Sequence, residues 1–141
     1  MQPISKLVSS PCVGLCSTTY GDYVCRGCMR TSTQISAWPA SDETRKRALV
    51  DSLDAIMQSV MPDYFAILDE TALKHALARN AVPIDPGRSP WAWLHKLLVR
   101  QINTIRDPSE IGVQLKQEGD IFSLFQRCRE TMYRLACGAA K

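Results

Sequence analysis

The chain has 141 residues, of which 45% are hydrophobic and 22% charged, with a formal net charge of +3. This bounds it to one domain, or a small module joined to a larger one, and no apolar run approaches the roughly 20 residues a membrane-spanning helix needs. The opening MQPISKLVSS has no apolar stretch for a signal peptide, and no hydrophobic segment leads to Pro11-Cys12 as a lipoprotein signal requires. A cytoplasmic protein with reduced thiols is therefore expected, which argues against two disulfides.

The first predicted element is a cysteine cluster. Residues 10–31, SPCVGLCSTTYGDYVCRGCMRT, hold four of the six cysteines in the pattern Cys-x3-Cys, eight residues, Cys-x2-Cys. Two close pairs joined by a short turn suit four sulfurs around one ion, so Cys12, Cys16, Cys25 and Cys28 are the predicted metal ligands. STTYGDYV reads as a tight hairpin turning at Gly21-Asp22, which brings the second pair back to the first. Gly14 and Gly27 sit inside the pairs, where positive φ lets backbone N–H groups approach the sulfurs. A redox Cys-x-x-Cys of thioredoxin type needs a βαβ setting that the sequence lacks. All the excess charge lies in the first fifty residues, six Lys/Arg against three Asp/Glu. Four thiolates on one divalent ion would leave a net charge of only about +1. Weak or no nucleic-acid binding follows, and Arg45, Lys46 and Arg47 read as a solvated helix face rather than a phosphate patch.

Ser10, Pro11, Cys12, Gly14, Cys16, Cys25, Gly27, Cys28, Arg30, Thr31, Ile35 and Trp38 together resemble a short bacterial family, domain of unknown function 1289. The likeness runs through about the first 55 residues. Members are commonly labelled predicted iron–sulfur proteins, so the resemblance implies a metal site and supplies no activity.

Helices are predicted from there on. Thr31 caps a short one through a capping box with Gln34, and Pro39 ends it. Ser41 opens the next, with Asp42 and Glu43 in its first turn; Leu49, Leu53, Ile56, Met57 and Val60 form its apolar face and Pro62 its stop. PDYFAILDETALKHALARNA continues the period through Phe65, Leu68, Ala72 and Ala76. VPIDPGRSP is a rigid loop, and Ser89-Pro90 starts a helix with Trp91, Leu94, Leu98, Ile102 and Ile105 on one face. A short helix restarts at Asp107-Pro108-Ser109-Glu110 and closes at Gly119. The last begins near Ile121, with Phe125, Cys128, Met132 and Leu135 in its stripe. The expected architecture is mostly α: a small four-cysteine metal knuckle or hairpin over residues 1–40, then a bundle of about five helices over 41–141.

His75 and His95 lack partners at zinc-motif spacing and are expected at the surface or half-buried. Cys128 reads as a core residue, and Cys137, nine residues on, lies on the opposite side of the helix. Trp91 and Trp93 point to different faces, one toward the core; an exposed tryptophan beside Arg88 could anchor a partner, a role the sequence alone does not assign. No phosphate loop, nucleophile elbow or paired-carboxylate motif occurs, so catalysis ranks last. Two classes stay open. In one, structural zinc holds a binding protein whose helices meet a protein partner; in the other, the same thiolates carry an iron–sulfur cluster for electron transfer or redox sensing. The compact quartet favours zinc.

Overall fold

Side-chain caps set the helix starts in the computed structural model, which describes residues 7–14 and 16–139. Leu15, the first six residues and the last two, all within the two predicted modules, lie outside the described residues. Helix α1, Ser32–Ala37, begins with the expected capping box: Gln34 N donates to Thr31 Oγ1 at 3.0 Å and Thr31 N to Gln34 Oε1 at 2.9 Å. A 3-10 turn, Trp38–Ala40, follows with Pro39 inside it. Helix α2 spans Glu43–Val60, and its cap is Asp42 rather than the expected Ser41. Asp42 Oδ1 accepts from Arg45 N at 2.8 Å, while the Ser41 hydroxyl is turned back to the Ala37 carbonyl.

The stretch after Pro62 departs from the expected helix. Phe65–Ile67 is strand β1, and only Glu70–Arg79 is helical (α3), capped by Asp69. β1 pairs antiparallel with β2, Val113–Leu115, in the register Phe65↔Leu115, Ala66↔Gln114, Ile67↔Val113. Helical spacing placed Phe65 and Leu68 on one face; in the structure Phe65 is buried and Leu68 exposed, because a strand turns alternate residues to opposite sides. The restart after Asp107 is likewise a 3-10 turn, Pro108–Ile111, closed by Gly112 rather than Gly119. Gly112 has φ +74°, and a Cβ there would collide with the Asp69 carbonyl. Its own carbonyl accepts from both Leu68 N and Asp69 N, tying the strand end to the start of α3.

Helix α4, Pro90–Gln101, starts at Ser89 as expected, and α5, Ile121–Ala139, starts with Ser123 N donating to Asp120 Oδ1 at 2.7 Å. Among the described residues, five helices and one two-stranded sheet bear out the mostly-α reading. Leu53 and Met57 of α2, Leu73 and Leu77 of α3, Leu94, Leu97 and Leu98 of α4, and Leu124, Phe125, Cys128 and Met132 of α5 share one core. Val24 and Met29 of the cysteine segment belong to the same cluster. Leu135 lies at the margin of its stripe and is half-exposed, with Ala136 turned inward in its place. Trp91 and Trp93 are both half-buried, and Trp93 Nε1 donates to the Asp85 carbonyl at 2.8 Å. Among the described residues no helix is long and apolar enough to cross a membrane.

Candidate metal centre

The chain from Cys16 to Thr31 folds without a regular hairpin between the cysteine pairs. Ser17–Tyr20 forms a 3-10 turn that ends on Gly21 at φ +103°. The pairing lies further on, where Val24 and Thr31 form an isolated antiparallel bridge. Inside that bridge Cys25 N donates to Arg30 O at 2.7 Å and Met29 N to Cys25 O at 2.8 Å, wrapping the backbone around the second cysteine pair. Three successive hydroxyl side chains explain the shift, since Ser and Thr offer the backbone local partners that favour turns. Ser17 Oγ accepts from Arg26 N at 2.8 Å and so fastens the first loop to the second. Gly14 has the expected positive φ, +97°; in the second pair it is Met29, not Gly27, that takes φ +68°.

The four cysteines fall into an inner and an outer pair. Cys25 and Cys28 are buried and their side chains share a hydrogen bond. That bond from Cys28, helped by nearby backbone N–H groups and opposed by burial, brings the Cys25 thiol down to about 4. The same bond and burial push Cys28 up, against the pull of Arg30. Cys12 is exposed, its sulfur accepting from Gly14 N at 3.4 Å, and Cys16 is half-buried with Sγ 2.8 Å from Thr18 Oγ1. Among the described residues no group of three or more His, Cys, Asp or Glu side chains stands close enough to hold an ion. The inner pair is formed; the outer pair would have to close on it.

One local and several distant cations lie within electrostatic range of these sulfurs. Arg30 is only 4% exposed and donates through Nε to Cys28 Sγ at 3.3 Å, its guanidinium 5.5 Å from the Trp38 ring centre. Arg88 also feels the charge of Cys28, Arg129 of α5 that of Cys25, and Lys96 of α4 that of Cys12. Arg100 lies against Gly14, 3.8 Å from where a Cβ would be. Sequence reading missed Arg88, Lys96, Arg100 and Arg129 as neighbours of the sulfurs, because all four stand far along the chain from the cysteines. Donor type and surrounding charge both fit a thiophilic ion held by thiolates, because desolvated anions need nearby positive charge.

The histidines do not join the site. His75 is exposed, while His95, expected near the surface, is 1% exposed within α4 and packs edge-on against Phe125 at 5.9 Å. Burial first, then Arg129 and Arg88, pushes its imidazole down to about 3, so it is neutral. Its Nε2 and Arg88 Nε are the two buried polar atoms without a hydrogen-bond partner among the described residues, and both residues line one small cavity. Cys128 is enclosed by the core, and burial pushes its thiol up to about 12.

Fold and site thus define a mostly helical protein with a cysteine-rich N-terminal segment. A family model described as a protein of unknown function, DUF1289, matches residues 10–57, the part of the chain that carries all four clustered cysteines. No curated protein and no solved structure matches the chain.

Proposed function

We propose that Cys12, Cys16, Cys25 and Cys28 hold a structural zinc ion in a small cytoplasmic binding protein whose helical part docks a protein partner. The observation that carries this reading is the inner pair: two buried sulfurs already within hydrogen-bond reach of each other, in a backbone wrap braced by Val24↔Thr31. Metal binding would replace the hydrogen bond between these two sulfurs with two metal–thiolate bonds, the thiol protons being released to solvent. Four sulfurs leave no open coordination position, which supports a structural role over hydrolysis. A partner surface is supported by an open groove of about 390 Å³ lined by Ile102, Ile105, Leu115, Ile121 and Phe122, the last 48% exposed.

The exposure of Cys12 favours the second reading, an iron–sulfur centre, since a cluster that exchanges electrons needs an edge near solvent. Metal analysis and the visible spectrum of anaerobically purified protein separate the two. One zinc per chain and no colour are expected. A brown protein with iron and labile sulfide in stoichiometric amounts would establish the iron–sulfur alternative, and a chain that takes up neither metal would end both.

A further inference from the structure

Arg30 is nearly fully buried, yet among the described residues it has no carboxylate within ion-pair distance. Its guanidinium donates through Nε to Cys28 Sγ at 3.3 Å. By contrast the other deeply placed arginine, Arg88, lies 3.7 Å from Asp54, itself held by Ser89 N and Oγ. A buried cation without a counter-ion costs several kcal/mol, and replacing one with an apolar side chain of similar size is commonly neutral or stabilising. The sulfur beside Arg30 is the side chain placed to supply compensating negative charge, in full when it is a metal-bound thiolate.

We propose that Arg30 is a positioning residue for the metal centre, a built-in counter-cation that donates to the Cys28 thiolate and makes the metal-bound state, not the metal-free fold, the state it stabilises. This rests on the four-thiolate reading above. A tetrathiolate around a divalent ion is a dianion in a desolvated setting, and partners hydrogen-bonded to its ligands typically change metal affinity 10- to 100-fold. Stacking on Trp38 fixes the plane of the guanidinium, so Nε keeps aiming at Cys28. Arg129, Arg88 and Lys96 add positive charge within electrostatic range of Cys25, Cys28 and Cys12.

The test compares the full chain with Arg30→Met, which keeps an unbranched apolar stem, and Arg30→Lys, which keeps the charge and loses the planar fork. Zinc affinity is read by competition with a chromophoric chelator, and melting temperature by circular dichroism with and without zinc. Arg30→Met should bind zinc about 10- to 100-fold more weakly. Its metal-free melting temperature should be unchanged or higher than the parent's, and Arg30→Lys should fall between the two in affinity. Parent-like zinc affinity in Arg30→Met overturns the proposal. So does equal destabilisation of the metal-free and zinc-loaded forms, or failure of the metal-free variant to fold, because either shows a packing role against Trp38. If the parent chain itself takes up no zinc or iron, the four-thiolate reading fails first and Arg30 loses its assigned role with it.

Discussion

Between Pro11 and Thr31 the chain buries few apolar side chains, chiefly Val13, Val24 and Met29, and its order comes from turns and backbone wraps around sulfur. From Val50 to Ala136 the opposite holds: four helices and a two-stranded sheet close on Met57, Phe65, Leu97, Phe125 and Met132. The first region supplies the thiols, and the second supplies Arg88, Lys96 and Arg129 around them, as well as the hydrophobic socket for Val24 and Met29. A segment that small cannot generate a core of its own, so it depends on packing borrowed from the helices and, on the proposed reading, on metal ligation. The contrast teaches that the cysteine segment is specified locally in shape and globally in charge.

The largest effect should come from the sulfurs. Cys25→Ser or Cys28→Ser should release the metal, a loss on the scale of the roughly 10–16 kcal/mol that structural zinc contributes in comparable peptides. Hydrogen exchange should then show protection lost through about Trp38, while most far-ultraviolet helical signal persists. Helices that melt together with the site would instead make the two regions a single cooperative unit.

Met29 sharpens the comparison. In the metal-loaded chain Met29→Ala should lower the stability of the helices by about 2–5 kcal/mol, since it opens a cavity in the shared core. In a Cys25→Ser background, with the segment already detached, the same change should cost little; this non-additivity is readable by denaturant titration. A helical transition that ignores Met29 in both backgrounds would separate the regions into independent modules.

His95 probes the helical region alone. Its imidazole titrates near 3 when folded and near 6.5 in an unfolded chain, so the unfolded state binds the extra proton as pH falls. The stability it contributes is full above pH 6.5 and is lost progressively down to about 3. Between pH 6.5 and 4.5 the metal-free parent should lose about 2–3 kcal/mol more than His95→Leu, measured by urea unfolding at each pH. Parallel pH profiles for the two proteins would show that His95 is charged or solvated in the fold.

The smallest expected effect concerns nucleic acid. Lys46 pairs with Glu43 at 3.5 Å, and Arg47 reaches Asp51 at 3.8 Å and the Gly87 carbonyl at 2.9 Å, which leaves Arg45 as the exposed member of that run. Anisotropy of a labelled duplex should show at most weak, salt-sensitive binding near 0.15 M salt. Selective binding that survives that salt would recast the basic residues of both regions as contacts.

Local chemistry was legible wherever partners lie within a turn or two. The Thr31–Gln34 box, the Ser89-Pro90 start and the onset of α5 at Ile121 appear where the sequence places them. The Ser41 assignment missed by one residue because two capping side chains stand side by side, and the backbone chose Asp42. β1 was illegible, since Phe65, Ala66 and Ile67 also fit a helical period and their strand partners, Val113 to Leu115, are remote. His95 was misplaced because burial depends on Phe125 of another helix closing over it.

By itself, then, the sequence determined the four clustered cysteines, their grouping in two close pairs, the family resemblance over about the first 55 residues and a mostly helical remainder. Each of these follows from spacing and cap chemistry that act over a few residues. Only the tertiary structure decided that Cys25 and Cys28 form the buried pair while Cys12 stays exposed, that Arg30 donates to Cys28, and that Arg88, Lys96 and Arg129 lie within electrostatic range of the sulfurs. Burial and electrostatic proximity are set by which helices pack together, and packing joins residues that the sequence keeps far apart.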